Sequence, residues 1–268
     1  MGTLDDLPIN GKLIRDILAG LGRQGRERYG ADMEAPSVRP VAHRVAMYDM
    51  DRTITRAGTY SGFLMHVARR RQPWRLMLLP FVGLAGLAYS LRLIDRAQLK
   101  AINLRLLVGK RFSRAEIAPL AESYADKVVA RGLHPAALEQ IAADRAAGYR
   151  LLLATASFHL YVDAIARRLG MDDVLATQLD EPDGGDHIHA RLSGDNCYGE
   201  AKFTRITGWL ADNAITREDA HIRAYSDHVS DHPMLRFADE AVATTPSRKL
   251  RRLAPQMGWQ VVDWRRPK

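Results

Sequence analysis

The chain has a single cysteine, Cys197, among its 268 residues. One thiol cannot form an intrachain disulfide, and it cannot supply the paired cysteines of a CxxC metal site. A protein without disulfides is typical of the reducing cytoplasm. The opening residues include Asp5 and Asp6 and contain no apolar core of a signal peptide. The sequence therefore predicts a cytoplasmic protein.

Other common signatures are also missing. The sequence contains no glycine-rich P-loop and no glycine fingerprint for a dinucleotide, which disfavours two large classes of nucleotide-binding enzyme. The uncharged run Leu76–Leu91 has about sixteen residues, fewer than the roughly twenty that span a bilayer. These absences disfavour a membrane span and the commonest nucleotide sites.

The chain is rich in basic charge. Its 39 Lys and Arg residues exceed its 31 Asp and Glu residues, which gives a formal net charge of +8. Such a protein favours anionic partners, which include phosphorylated metabolites, nucleic acid and acidic membrane surfaces. The four tryptophans are scattered, which is typical of packing and not of base stacking. We therefore expect an anionic partner, and we do not expect that partner to be a nucleic acid.

Strand-like and helix-like segments alternate from His43 onward. The predicted strands are Val45–Asp49, Leu151–Thr155, Val174–Leu179, His187–Leu192, His221–Ser226, Ala241–Thr244 and Gln260–Asp263. The predicted helices are Leu160–Leu169, Ala201–Asn213, Asp231–Ala238 and Ser247–Met257. Asp183-Gly184-Gly185 is typical of a turn between two of these strands. The alternation predicts an α/β fold with a doubly wound parallel sheet.

Two segments lie outside this alternation. Residues 1–40 are expected to form an N-terminal extension whose short apolar stripe either packs loosely on the domain or lies on a membrane surface. Residues 58–135 are helical in pattern and too long for an ordinary connection after a strand. We therefore expect a catalytic core of residues 41–57 and 136–268, with residues 58–135 inserted as an α-helical cap.

Two aspartates, Asp49 and Asp51, come at the end of the first predicted strand. Catalytic groups of open α/β sheets gather at the carboxyl ends of the strands. Two carboxylates this close repel one another and lose hydration, so the pair requires a cation, and a divalent metal is the expected one. One aspartate can then attack an electrophile while the other transfers a proton.

Further polar residues stand at strand ends or helix starts. They are Thr155, Lys202, Asp227 and Asp231. The carboxyl ends of parallel strands meet at one edge of a sheet, so these positions are expected to converge. They add a hydroxyl, a cation and two carboxylates to the first pair.

This ordered set resembles the haloacid dehalogenase (HAD) superfamily of phosphatases, subfamily IB, from about Val41 to Trp264. The motifs that carry the resemblance are DxDxT at residues 49–53, Thr155, Lys202, and Asp227 with Asp231. It implies a HAD-like, Rossmann-type core and a magnesium-dependent phosphomonoester hydrolase that works through an aspartyl-phosphate. Arg52 stands where the superfamily more often has glycine, and its side chain is expected to point away from the chemistry.

The resemblance also implies catalytic roles. Asp49 is the expected nucleophile. Asp51 is expected to protonate the leaving group and then to deprotonate the attacking water. The groups expected to bind the phosphoryl oxygens are Thr155, the amide of Ala156, and Lys202. Thr53 is expected to position the phosphoryl group or the loop.

A metal site is implied at the same place. Mg²⁺ is expected to bind Asp49, the backbone carbonyl of Asp51, and Asp227, because this ion prefers oxygen ligands and keeps several waters. Asp231 is expected either to bind a metal-bound water or to orient Lys202. The ion would neutralise repulsion between the nucleophile and the phosphate.

The inserted cap bears on the substrate. Between Ile54 and Ala115 there are twelve Lys or Arg residues and one acid, Asp95. Recognition of a substrate amino group usually requires a carboxylate, so the cap argues against phosphoserine. Arginines flank the run Leu76–Leu91, a pattern typical of the interface of an anionic membrane. A buried hairpin of the cap explains the run equally well, and both alternatives stay open.

Some stretches also resemble one family within the superfamily, phosphatidylglycerophosphatase C. They are Arg70-Arg71-Gln72-Pro73, residues 225–231 with Pro233, and Thr245-Pro246. The resemblance implies a lipid phosphate substrate such as phosphatidylglycerol phosphate, and peripheral contact with the inner face of a membrane. A more distant resemblance to phosphoserine phosphatase implies a soluble small-metabolite phosphatase. A basic regulator that binds nucleic acid or membrane without turnover is the third alternative.

Two histidine pairs are weaker signals. His187 and His189 are expected to share one face of a strand, although their spacing also occurs at zinc sites. His228 and His232 stand close to the proposed metal ligands in sequence, which makes them candidates for a substrate contact.

Overall fold

The computed structural model describes residues 42–182 and 186–265. The chain divides into two units, Met1–Pro40 and Val41–Lys268, and the described residues belong to the second. The predicted N-terminal extension of residues 1–40 and the predicted turn at residues 183–185 lie outside the described residues.

Strands and helices alternate along the described chain. The strands are β1 His43–Tyr48, β2 Arg111–Ser113, β3 Arg150–Phe158, β4 Asp173–Thr177, β5 Leu179–Asp180, β6 His187–Leu192, β7 Ala220–Ser226, β8 Glu240–Thr244 and β9 Gln260–Val262. The helices are α1 Thr59–Arg71, α2 Leu79–Ser90, α3 Arg96–Leu107, α4 Arg114–Arg131, α5 Pro135–Ala146, α6 His159–Leu169, α7 Glu200–Asp212, α8 His232–Phe237 and α9 Arg248–Leu253. Single turns of 3₁₀ helix occur at Val229–Asp231 and Ala254–Met257, and a longer one at Pro73–Leu78.

Six strands form one parallel sheet in the order β4-β3-β1-β7-β8-β9. Alternate side chains of β1 enter opposite apolar layers. Ala46 and Tyr48 pack on the side of α1, α4, α5 and α6, whereas Val45 and Met47 pack on the side of α7, α8 and α9. A strand buried on both faces appears in sequence as a continuous apolar run. The predicted doubly wound α/β fold is confirmed.

A second, antiparallel sheet of order β2-β6-β5 lies outside the parallel one. The segment expected to be an α-helical cap therefore also contains one short strand, β2, which pairs with β6. Three residues are too few to show a strand period in sequence, and the partner strand supplies the pairing. The predicted strand at residues 174–179 is divided between β4 and β5.

The apolar run at residues 76–91 is not a buried hairpin. Its start completes the turn Pro73–Leu78, and most of the rest forms α2, whose buried residue is Ala85. The buried-hairpin alternative is wrong, and membrane contact stays a prediction. In the part of the chain that the structure describes, no helix has both the length and the apolarity that a bilayer crossing requires.

Candidate active site

Asp49 directly follows β1, a strand in the interior of the parallel sheet, and so lies at the edge formed by the carboxyl ends of the strands. Its amide donates to the carbonyl of Tyr225 at the end of β7, at 3.0 Å. The next residues make a tight turn, Met50–Ile54, which the amide of Thr55 closes by donating to the Met50 carbonyl at 3.0 Å. This turn brings Asp51 and Thr53 back toward the sheet edge.

Arg52 has a left-handed backbone, with a φ of 65°. Glycine adopts this conformation without strain, which accounts for its frequent use at the position. Arg52 lines the cleft above the sheet edge. Burial, followed by Asp231, raises the pKa of Asp227, and the charge of Arg52 opposes that shift. Arg52 is exposed at this cleft, and the expected direction of its side chain stays a prediction.

Lys202 lies near the start of α7 and joins two of the predicted site residues. Its Nζ donates to Oδ1 of Asp49 at 2.8 Å and to Oδ2 of Asp231 at 2.9 Å. The Lys202 side chain is only 2% exposed. Ser226 Oγ donates to the same Oδ2 of Asp231 at 2.7 Å. Asp231 thus orients Lys202, one of the two roles expected for it.

Thr53 links Asp49, the expected nucleophile, to the backbone of Asp227. Its Oγ1 donates to Oδ2 of Asp49 at 3.2 Å and accepts from the amide of Asp227 at 3.0 Å. The contact fixes the loop after β7 against the turn after β1. Thr53 therefore positions the loop, which is part of the role expected for it.

Burial and crowding shift the proton equilibria of these groups. Burial, with help from Asp231 and Asp227, raises the pKa of Asp49 to about 7, although Lys202 opposes the shift. Burial and Asp231 raise the pKa of Asp227 to about 6. Burial alone would lower the pKa of Lys202, but Asp231 and Asp49 hold it above its ordinary value. The three carboxylates therefore carry more negative charge than one lysine balances.

Asp51 accepts hydrogen bonds from two residues that the sequence analysis missed. Its Oδ1 accepts from the amide of Thr59 at 2.6 Å and from Thr59 Oγ1 at 2.8 Å. Its Oδ2 accepts from Ser157 Oγ at 2.7 Å. Thr59 begins α1 in the cap and Ser157 lies in β3, so cap and core fix this carboxylate together.

Thr155 and Ala156 lie on β3 at the edge of the cleft. The strand continues to Phe158, beyond the predicted end at Thr155. Thr155 Oγ1 accepts from the amide of Ser157 at 3.1 Å. Both residues therefore stand beside the aspartates, at the place predicted for phosphoryl binding.

Lys100 of α3 reaches from the cap to the core and was also missed. Its Nζ donates to the carbonyl of Ala156 and, at 2.7 Å, to Oδ1 of Asn196. It lies 5.1 Å from the ring centre of Phe158. Burial, followed by the charge of Arg96, lowers the pKa of Lys100 to about 7. No spacing pattern in the sequence could indicate this contact, because Lys100 belongs to the inserted cap and Ala156 belongs to the core.

All predicted site residues except Thr53 line one cleft with a volume of about 470 Å³. They are Asp49, Asp51, Thr155, Ala156, Lys202, Asp227 and Asp231. The cap side of the cleft adds Tyr60, Tyr89, Arg96 and Lys100. A cleft of this size accommodates a small polar ligand or the headgroup of a larger one.

The donor set bears on the expected metal. Within residues 42–182 and 186–265 no cluster of three or more His, Cys, Asp or Glu side chains is arranged to hold an ion. The carboxylates of Asp49 and Asp227 with the Asp51 carbonyl are a smaller set, which suits Mg²⁺ because that ion keeps several waters. Oδ1 of Asp231 is buried without a hydrogen-bond partner, which suits a contact to a metal-bound water. The residues present therefore fit Mg²⁺ and do not form a closed all-protein cage.

The comparison with known families gives a match over residues 46–236, described as haloacid dehalogenase-like hydrolase. The matched segment runs from β1 to α8 and includes every predicted site residue. The chain belongs to this family. The superfamily resemblance drawn from the motifs is thereby confirmed, while the narrower resemblances to subfamily IB and to phosphatidylglycerophosphatase C stay predictions.

Relatives of this HAD hydrolase agree with the family assignment. Phosphoserine phosphatase SerB1 of Mycobacterium tuberculosis is 32% identical over 156 residues, which are 57% of this chain and 48% of that protein. The chain thus matches about half the length of this relative. A solved protein of unknown function from Bordetella pertussis Tohama I has a TM-score of 0.74 at 27% identity, over 83% of this chain and 99% of that one.

A solved phosphoserine phosphatase supports the fold of this HAD hydrolase. The structure is a phospho-aspartyl intermediate analogue, with a TM-score of 0.55 at 17% identity, over 84% of this chain and 94% of that one. At this identity the likeness establishes the architecture alone.

The histidines singled out in the sequence of this HAD hydrolase lie in different environments. His189 lies 3.3 Å from the carboxylate of Asp180 on the neighbouring strand, which is a strand-face contact. His228 lines the cleft, whereas His232 packs 5.6 Å from the ring of Trp259. Of the two pairs, His228 is therefore the residue placed for a substrate contact.

Proposed function

We propose that the protein is a magnesium-dependent phosphomonoester hydrolase that works through an aspartyl-phosphate at Asp49. The observation that carries the proposal is that Asp49 and Asp51 are hydrogen-bonded by different residues. Asp49 is bonded to Lys202 at 2.8 Å, which favours an ionised nucleophile. Asp51 is bonded to Thr59 and Ser157, which holds it for proton transfer.

The proposed reaction has two steps. In the first, an oxygen of Asp49 bonds to phosphorus, the bond from phosphorus to the alkoxy oxygen breaks, and Asp51 gives that oxygen a proton. In the second, Asp51 takes a proton from water, the water oxygen bonds to phosphorus, the bond from phosphorus to the Asp49 oxygen breaks, and inorganic phosphate leaves. Thr155, the Ala156 amide and Lys202 donate to the phosphoryl oxygens throughout.

Mg²⁺ is the proposed cofactor. Asp49, Asp227 and the Asp51 carbonyl would hold it, with Asp231 interacting through a water. When bound, the ion supplies positive charge that offsets repulsion between the nucleophile and the phosphate. Burial and the neighbouring carboxylates raise the pKa values of Asp49 and Asp227, to about 7 and about 6, so a cation bound beside them would favour their ionised forms.

The proposed substrate class is a lipid phosphate such as phosphatidylglycerol phosphate. The basic residues that the cap places at the cleft are Arg96 and Lys100, and the acids on the lining are the four core aspartates already described. The cap thus offers cations for an anionic headgroup and no carboxylate for an ammonium group. The name of the relative SerB1 favours phosphoserine as the second candidate.

A substrate comparison tests the proposal. Phosphate release would be measured from phosphatidylglycerol phosphate in mixed micelles, from phosphoserine and from glycerol phosphate, with and without Mg²⁺. A higher kcat/KM on the lipid supports the proposed class, and a preference for phosphoserine overturns it. Salt-dependent DNA binding without any hydrolysis would favour the non-catalytic regulator instead.

Asp227→Asn should remove most of the stabilisation by Mg²⁺. For the wild type we expect a gain of about 2–3 kcal/mol when Mg²⁺ is roughly a hundredfold above its dissociation constant. The variant loses a ligand and should show less than about half of that gain, measured by thermal melting with MgCl₂ and with EDTA. Asp212→Asn, at an exposed residue of α7, is the matched control. A full Mg²⁺ gain in Asp227→Asn would contradict the assigned site.

Lys100→Met should weaken substrate binding in a pH-dependent way. Because the pKa of Lys100 is lowered to about 7, the free enzyme loses this charge as pH rises through that value. The ratio of wild-type to variant kcat/KM should be about ten at pH 6, equivalent to ~1.4 kcal/mol, and should approach one by about pH 9. Lys110→Met, at an exposed lysine of the cap, should leave the ratio near one throughout. A constant ratio for Lys100→Met would refute the role.

A further inference from the structure

The cap carries a concentrated exposed apolar surface. Of the twelve large apolar residues exposed in the described chain, nine lie between Trp74 and Leu93. They are Trp74, Met77, Leu79, Phe81, Leu84, Leu87, Tyr89, Leu91 and Leu93, and we call them the cap face. Their exposure ranges from 38% to 80%. Scattered single apolar residues are normal on a protein surface, but such a concentration marks an interaction site.

The cap face is not the outer side of an ordinary amphipathic helix. α2 contains no charged residue, and Ala85 is its buried position. A surface helix of a globular protein normally places polar residues on the side away from the core. Within the residues that the structure describes, the core therefore does not account for Phe81, Leu84 and Leu87, and an apolar partner would cover them.

The charges beside the cap face are positive. Arg69, Arg70 and Arg92 are exposed next to it in sequence. The nearby acid, Asp95, accepts from the amide of Gln98 at 2.7 Å and caps α3. A surface that is apolar in the middle and basic at its ends complements an anionic lipid bilayer.

The dimensions of α2 suit a helix that lies in the plane of a bilayer. Its 12 residues are about 18 Å long at 1.5 Å per residue, well short of the roughly 30 Å hydrocarbon core. Among the described helices none is long and apolar enough to span. The cap face can therefore enter the interface and cannot cross it.

The cap face is continuous with the catalytic cleft. Tyr89 belongs to α2 and also lines the cleft, beside Arg96 and Lys100 of α3. A membrane beneath α2 would place the headgroup layer at the mouth of the cleft. The same segment thus offers apolar side chains to acyl chains and cations to phosphate.

We infer that the cap face docks on the surface of an anionic lipid bilayer. The inference goes beyond the proposed activity, because docking requires no turnover. A second copy of the chain is the less favoured occupant, since two cap faces in contact would bring the arginines at residues 69, 70 and 92 close to one another.

Vesicle flotation of the full chain tests the inference. The vesicles would be pure phosphatidylcholine, or phosphatidylcholine with about a third phosphatidylglycerol, at 150 mM salt. We expect the wild type to float with the anionic vesicles and its partition coefficient to fall at least about tenfold on the neutral ones. Leu84→Glu with Leu87→Glu should lower partition to anionic vesicles by at least about tenfold. Leu138→Glu, at an exposed leucine of α5, should change it little.

Several outcomes separate docking from its alternatives. Circular dichroism and unchanged turnover of a soluble phosphomonoester would show that Leu84→Glu with Leu87→Glu is folded, so failed docking and failed catalysis are distinguishable. The inference is overturned if the wild type does not float with the anionic vesicles. Light scattering then separates a monomer from a dimer that the double variant dissociates, and either result contradicts docking on a bilayer. Equal partition of the double variant and Leu138→Glu also overturns it.

Discussion

Asp49→Asn should reduce phosphate release by at least about 10⁴-fold, because the amide cannot form the proposed aspartyl-phosphate. The substitution keeps the size of the side chain at a buried position. The measurement is kcat on a phosphomonoester at saturating Mg²⁺. Glu200→Gln, at the exposed start of α7 and close to Lys202, is the matched control and should retain full activity.

The loss in Asp49→Asn should not come from unfolding. Burial, together with Asp231 and Asp227, raises the pKa of Asp49 to about 7, so the folded protein favours a neutral group at this position. At pH 8 in EDTA the melting temperature of the variant should therefore be no lower than that of the wild type. Residual activity within about a hundredfold of the wild type, in protein free of wild-type contamination, would exclude Asp49 as nucleophile.

The residues that could be predicted from sequence are those that follow buried strands. Asp49 comes after β1 and Asp227 after β7, and these two strands are hydrogen-bonded neighbours. Apolar runs and helix starts are local signals, and a parallel sheet brings its strand ends to one edge. Lys202, near the start of α7, meets Asp231 at 2.9 Å at this edge. Local patterns therefore sufficed for the core of the site.

The residues that could not be predicted are those that depend on how the cap folds back. Thr59 and Lys100 reach Asp51 and Ala156 from helices inserted after β1. Their contacts join distant segments, and no spacing rule relates a residue in an insertion to one in the sheet. Ser157 is different, because it lies two residues beyond Thr155 and faces the same cleft. An alternation argument along β3 could have indicated it.

The placement of the apolar run at residues 76–91 could not be predicted, for a different physical reason. A helix without charges has the same sequence whether protein or lipid surrounds it. Composition could therefore not decide between a buried hairpin and an exposed helix. Only the packing of α2 beside α3 decides, and it leaves Leu84 and Leu87 more than half exposed.

Lys202→Met should be the most destabilising of the proposed substitutions. Lys202 is the buried cation between Asp49 and Asp231, and removing one partner of a buried ion pair costs about 3–5 kcal/mol. We expect this loss in the free energy of unfolding at pH 8 in EDTA, together with loss of phosphate release. Lys249→Met, at an exposed lysine of α9, should change the free energy by less than about 0.5 kcal/mol.

The pH dependence of Lys202→Met separates electrostatics from packing. Lys202 lowers the pKa of Asp49, so its removal should raise that pKa further above about 7. A carboxyl group whose folded pKa is raised favours the folded state when protonated, and that contribution is lost as pH rises through the folded pKa. The deficit of the variant in EDTA should therefore shrink at pH 5.5 and grow by pH 8. Added Mg²⁺ should restore part of the stability at pH 8, since it replaces the missing positive charge. A deficit that is independent of both pH and Mg²⁺ would mean that Lys202 stabilises the fold by packing, and not by balancing the three carboxylates.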